Sequence, residues 1–154
     1  MDMCKPQPEH LKLKRLAGTW TGEETLHPSP WDPKGGNASG RIEARVELDG
    51  FYVVSDYVQE RGGRPSYRGH GVFGWDSSRK CYTMHWFDSM GFPCSEAARG
   101  AWEGNRLVFE QSTPMGQARY SYDFEGDGRY GFRIENSPDG KSWTTFMEGR
   151  YTRK

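Results

Sequence analysis

From Arg41 to Leu48 charged and apolar residues alternate without interruption, with Ile42, Ala44, Val46 and Leu48 on one side and Arg41, Glu43, Arg45 and Glu47 on the other. A period of two is that of a half-buried β-strand, so the apolar set faces a core and the charges face solvent. Asp49-Gly50 follows at once and suits a two-residue hairpin turn. That turn sets Leu48 opposite Phe51, Val46 opposite Val53, Ala44 opposite Ser55 and Ile42 opposite Tyr57, so Phe51, Val53, Ser55 and Tyr57 are expected to face inward as well.

Similar turn pairs recur along the chain: Gly62-Gly63, Asp76-Ser77, Met90-Gly91, Gly104-Asn105, Met115-Gly116, Gly126-Asp127-Gly128 and Asp139-Gly140. Their spacing of roughly a dozen residues leaves room for one strand and a tight reversal each time. Strands are predicted over Thr19 to His27, Ala38 to Leu48, Phe51 to Glu60, Pro65 to Trp75, Lys80 to Asp88, Glu96 to Glu103, Arg106 to Thr113, Gln117 to Glu125, Arg129 to Asn136 and Lys141 to Thr152. About ten strands joined by short turns make an all-β chain, an antiparallel up-and-down barrel. Before them, Leu11, Leu13 and Leu16 among basic residues predict a short helix within Pro8 to Leu16 that plugs one barrel end. Pro28 to Asn37, with three prolines and two glycines, is read as a lid-like loop over a barrel mouth. The expected organisation is an N-terminal segment with the helix over residues 1–16 and a single barrel domain over 17–154.

Composition narrows the partners. Apolar residues make up 34% of the chain and aromatic ones 14%, so the core is expected to use few, large side chains. The 21 basic and 21 acidic residues cancel, which leaves no footprint for nucleic acid or an anionic membrane surface. Met1 to Pro8 carries no apolar leader, and a soluble cytoplasmic protein is expected. Cys4, Cys81 and Cys94 form no Cys-x-x-Cys pattern and are read as reduced thiols.

The run Leu16-Ala17-Gly18-Thr19-Trp20-Thr21-Gly22-Glu23-Glu24 resembles the first strand of calycin-type barrels, the group of lipocalins, fatty-acid-binding proteins and nitrobindins. Together with Leu26-His27-Pro28, Gly50-Phe51-Tyr52, Gly69-His70-Gly71, Gly74-Trp75-Asp76 and His85-Trp86-Phe87-Asp88-Ser89-Met90-Gly91, it is similar to a bacterial domain family of unknown function. The resemblance spans nearly the whole chain and implies the barrel fold, with Trp20 closing one end beneath a basic residue, Arg150 or Arg133. Nitrobindins hold haem iron through a His near the C-terminus. Here the last His is His85, so haem is not expected and any other cofactor is left open.

Beyond β-strand Phe51 to Glu60 the register divides. A plain two-residue turn at Gly62-Gly63 places Arg68 opposite Tyr57, His70 opposite Ser55 and Val72 opposite Val53, all inward, and then pairs His70 with His85. That arrangement puts Tyr67, Phe73, Trp75, Tyr82, Met84 and Trp86 on the outer wall, where an exposed aromatic ribbon suggests a homodimer. A bulge at Arg61 to Arg64 instead turns those six residues inward and the histidines out, with His70 still paired with His85.

Glu24 shares a face with Trp20, and an inward carboxylate must be paired, protonated or in contact with ligand. Arg68 is its expected counter-charge, or else the group that meets a ligand carboxylate. The predicted function is binding of a small, partly apolar molecule with a polar or anionic group in the barrel lumen. Trp20, Phe51, Val53, Val72 and Phe87 are assigned apolar contact, and Glu24, Tyr57, Arg68, His70 and His85 polar contact. A second reading is a His-based or metal-dependent enzyme using His70 and His85 in the same cavity, and a third is an interaction module acting as a homodimer.

Overall fold

The structure, a computed structural model, describes residues 4–93 and 96–154. Ten antiparallel strands close into one barrel: β1 (Gly18–Leu26), β2 (Gly36–Glu47), β3 (Tyr52–Arg61), β4 (Arg64–Asp76), β5 (Cys81–Asp88), β6 (Ala98–Glu103), β7 (Arg106–Thr113), β8 (Gly116–Glu125), β9 (Arg129–Ser137) and β10 (Thr144–Arg153). Each strand pairs with its neighbours in sequence, and β1 pairs with β10 to close the ring. Among the described residues no strand is left at an edge, although the β5–β6 ladder is short and runs only from Tyr82 to Met84.

A short helix, α1 (Pro8–Lys12), runs into a 3-10 turn at Leu13–Leu16 and covers one barrel end, as expected from the leucine spacing. Pro8 sits in the first turn, where its missing N–H costs nothing. Leu13 and Leu16 are buried in the same cluster as Trp20, Ala44, Val53 and Phe73. Tyr82 ties the helix down by donating to the Glu9 carbonyl at 2.8 Å. Trp20, fully buried, donates its indole N–H to the Leu16 carbonyl at 2.9 Å. The basic residue over it is Arg153, whose guanidinium carbon lies 4.2 Å from the ring centroid, in place of the expected Arg150 or Arg133.

The β2–β3 register is the expected one, with Ile42 opposite Tyr57, Ala44 opposite Ser55 and Val46 opposite Val53. Its ladder stops at Glu47 and Tyr52, because Leu48–Gly50 tighten into a 3-10 turn with positive φ at all three residues. Leu48 is therefore exposed, and Phe51 lies outside the lumen, its ring edge-on to His10 at 5.0 Å. Both were expected to face in.

The β3–β4 hairpin carries a bulge. Arg61 pairs with Arg64 across the two-residue turn, but Glu60 opposes Pro65 and Gln59 opposes Tyr67, which leaves Ser66 as an extra residue. Pro65 has no N–H to continue the ladder. Ser66 instead donates its hydroxyl to the Gln59 carbonyl at 3.2 Å. One extra residue reverses every side chain beyond it. Tyr67, Gly69, Gly71, Phe73 and Trp75 thus share the inner face with Tyr57, Ser55 and Val53, and Arg68, His70 and Val72 go to the outer wall.

The next turn shifts pairing by two positions without changing faces. Asp76 accepts from the backbone N–H of Ser78 at 3.0 Å and of Arg79 at 3.1 Å, and Lys80 takes a positive φ, so the loop spans four residues, Ser77 to Lys80. His70 therefore opposes Phe87 and Val72 opposes His85, and the expected His70–His85 pair does not form.

Candidate functional site

With these registers the interior divides into two levels. The end beneath the helix is packed with Trp20, Phe73, Tyr82, Leu107, Phe124 and Tyr130. Aromatic pairs such as Trp20–Tyr130 at 4.7 Å and Phe124–Tyr130 at 5.2 Å meet in tilted or edge-to-face geometry. At the opposite end Tyr67, Trp86, Tyr120, Phe132 and Ile134 point inward by register and are still only partly buried. In a closed wall an inward side chain meets solvent through the mouth.

Between the levels lies Glu24, 2% exposed. Its Oε2 accepts from the Tyr57 hydroxyl at 2.6 Å and also from the Tyr151 hydroxyl. Its Oε1 accepts from the Gln59 amide at 3.1 Å. Burial, reinforced by the neighbouring carboxylate, pushes the Tyr57 and Tyr151 hydroxyls far above the usual phenol range, so both are fixed as donors. Among the described residues no basic side chain lies within ion-pair distance of Glu24. Gly40, opposite the strand position of Gln59, makes room for this cluster: a Cβ there would overlap the Glu24 carboxyl group.

Nearer the mouth a second polar chain runs along β4 and β5. Trp86 donates its indole N–H to the Tyr67 oxygen at 2.8 Å, and Tyr67 donates in turn to Asp88 at 2.7 Å. Asp88 opposes Gly69 and belongs to the inner face. The Trp86 indole lies over Gly69, where any side chain would collide with it. The Tyr57 ring stands 6.0 Å from that of Tyr67 and 6.3 Å from that of Trp86, joining the two polar groups into one wall.

Of the residues read from the sequence, Trp20, Glu24, Val53 and Tyr57 face the interior, with Trp20 and Val53 in its packed floor. Arg68, His70, Val72, His85 and Phe87 lie on the outer wall, for the bulge at Ser66 turned them there. Arg68 is exposed and cannot serve as counter-charge to Glu24. His70 bonds Asp56 at 2.7 Å on that wall, and this bond, helped by Arg45, holds the Asp56 carboxyl below the usual range. His85 is exposed, and Phe87 is 47% exposed. Among the described residues no group of three or more His, Cys, Asp or Glu is arranged to hold a metal. The outer aromatic ribbon that suggested a homodimer does not exist, since Tyr67, Phe73, Trp75, Tyr82, Met84 and Trp86 pack into the interior.

Sequence reasoning missed Gln59, Asp88 and Tyr151 as members of the site. A usable signal was present in Pro65, since proline inside a strand marks a bulge or an edge. Cys4 is free and exposed and Cys81 is free and half-buried, whereas Cys94 lies outside the described residues. The loop over residues 27–35 borders the mouth and is pinned by Arg61, which pairs with Asp32 at 2.8 Å and donates to the Gly35 carbonyl at 2.8 Å. Gly36 and Asn37, expected in that loop, begin β2. A groove of about 460 Å³ at Gln117, Arg119 and Trp143 lies on the outer wall and is open to solvent.

Fold and site together define a closed ten-stranded antiparallel barrel, plugged at one end and holding a buried carboxylate near the other. Residues 5–153 match the family described as protein of unknown function (DUF1579), and the chain belongs to that family, as the motifs around Trp20 and His85 led us to expect. The crystal structure of Rv2717c from M. tuberculosis is similar in fold, with a TM-score of 0.71 at 13% identity over 96% of this chain and 98% of that one. No curated protein matches the chain. No helix of the described residues is long and apolar enough to cross a membrane.

Proposed function

We propose that the barrel binds a small, partly apolar molecule carrying a polar group, held in the half of the lumen away from the helix. The observation that carries this reading is Glu24, a carboxylate with three neutral donors set inside an aromatic interior. A core that only had to be stable is better served by an apolar residue of similar size, because burying a charged or polar group is costly. Inward aromatic residues that stay partly exposed above it supply apolar contact within reach of the mouth. Trp31, Met90, Phe92 and Met115, all strongly exposed, stand on loops at this same end and offer an apolar rim.

The anionic version of this ligand depended on Arg68, and the enzyme on His70 and His85. With all three on the outer wall neither retains its chemistry in the lumen. The test is native mass spectrometry of the untagged protein as isolated, followed by denaturation. A small-molecule mass excess that is released on unfolding supports binding. Protein that is empty from several expression hosts, and that takes up no apolar probe, removes the reading.

A further inference from the structure

Which polar group the lumen selects follows from the charges that face it. By register the inward carboxyl groups toward the mouth are Glu24 and Asp88, and the cations on that face, Arg61 and Arg64, stand at the rim, where Arg61 is already engaged by Asp32 and the Gly35 carbonyl and Arg64 is exposed. A further inward cation, Arg153, lies at the opposite end, stacked on Trp20 and donating to the carbonyls of Asp127 and Ala17. Between the two carboxylates stand the rings of Tyr57, Tyr67 and Trp86. Tyr57 donates to Glu24 and Tyr67 to Asp88, so each phenol commits its hydrogen to a carboxylate and has none left for a ligand. The Trp86 indole packs along Gly69 and Gly71 of the same inner face. Aromatic faces carry negative potential, and phenols donating to carboxylates gain electron density. Oε1 of Glu24 accepts one hydrogen bond, which leaves it acceptor capacity.

Resting on the binding reading above, we propose that this end of the lumen is a cage for an organic cation, an ammonium head on an apolar body. A cation would meet two carboxylates and three ring faces. An anion would meet two like charges, and a neutral molecule would leave Glu24 without a counter-charge in a site from which it displaces water.

The test uses three probes of one chain length, decylammonium, decanol and decanoate, kept below their micellar concentrations and followed by calorimetry and tryptophan fluorescence. Decylammonium should bind at least about tenfold more tightly than the other two, with decanoate the weakest. Glu24→Gln should bring decylammonium down to the level of decanol. Because Glu24 also holds the core together, Asp88→Asn serves as a second variant and should weaken decylammonium while leaving decanol unchanged. Decanoate or decanol binding as tightly as decylammonium overturns the cation cage and leaves the binding reading standing. An ammonium preference that survives both variants also overturns it. Failure of all three probes to bind removes the binding reading, and the cage with it.

Discussion

The hydroxyl of Tyr57 lies 2.6 Å from Oε2 of Glu24, and it reaches there from a strand two places round the barrel, across β2. Such a bond joins strands that share no ladder, so it fixes the barrel's cross-section as well as the site. Glu24→Ala would strand the donors of Tyr57, Tyr151 and Gln59 in a buried place. The expected loss is about 2–4 kcal/mol, read as a lower urea midpoint, whereas Glu24→Gln, which keeps an acceptor, should cost about 1 kcal/mol. Equal stability of Glu24→Ala and the parent would show that the cluster does not bear on folding.

At the plugged end Arg153 joins the last strand to the first and to the helix. Its Nε donates to the Asp127 carbonyl at 2.8 Å, another nitrogen donates to the Ala17 carbonyl, and the guanidinium covers Trp20. Arg153→Ala should lower stability by about 1–3 kcal/mol and speed amide exchange in Leu13 to Ala17. Arg153→Lys keeps the charge but not the planar fork, and should recover less than half of the loss. Unchanged exchange in that segment would place the plug's stability in Leu13 and Leu16 alone.

How much of this was legible depended on what kept count of the strands. Alternation at Arg41 to Leu48 and the Asp49-Gly50 turn placed Ile42 against Tyr57 and Val46 against Val53, and four residues of spacing put Glu24 on the face of Trp20. Those inferences rest on period two within a strand or on a tight turn, and they carried through. The next hairpin depended on whether Ser66 is an extra residue, which is settled by Pro65 and by a serine hydroxyl bonding back to Gln59. Both registers satisfied local alternation, so the decision lay in the interior volume that Tyr67, Phe73 and Trp86 fill. Glu24's partners were hidden for a related reason: Tyr151 lies far along the chain, and only closure of β1 on β10 brings it near.

Arg68 and His70 now serve as controls for the site. Both lie on the outer wall, separated from the lumen by the sheet itself. Arg68→Ala and His70→Ala should leave the affinity for decylammonium unchanged in titrations that detect a twofold difference. A loss in Arg68→Ala would mean that β4 sits in the unbulged register in solution.

Gly69 tests the same register from the inside. Any Cβ there falls within the Trp86 indole, so Gly69→Ala must displace the ring and break its bond to Tyr67. The expected cost is about 1–3 kcal/mol, with a red shift in tryptophan emission as the indole moves toward the mouth. A neutral substitution with unchanged emission would place Trp86 elsewhere.

Burial raises Tyr57, Tyr67, Tyr82, Tyr120, Tyr122, Tyr130 and Tyr151 above the ordinary phenol value in the folded barrel. Desolvation penalises the phenolate, so the folded state holds these protons more tightly than the unfolded chain does. Each such group adds stability that is fully present below the unfolded value, about pH 10, and that is drawn down as pH rises beyond it. The barrel should therefore hold its midpoint in denaturant through neutral pH and lose stability steeply in alkali. Tyrosinate absorbance should rise at a higher pH in the folded protein than in the protein unfolded by guanidinium, and alkaline unfolding should release the buried phenols together. Coincident titration curves for the two states would mean that solvent reaches these hydroxyls freely, and the packed aromatic floor would then have to be abandoned.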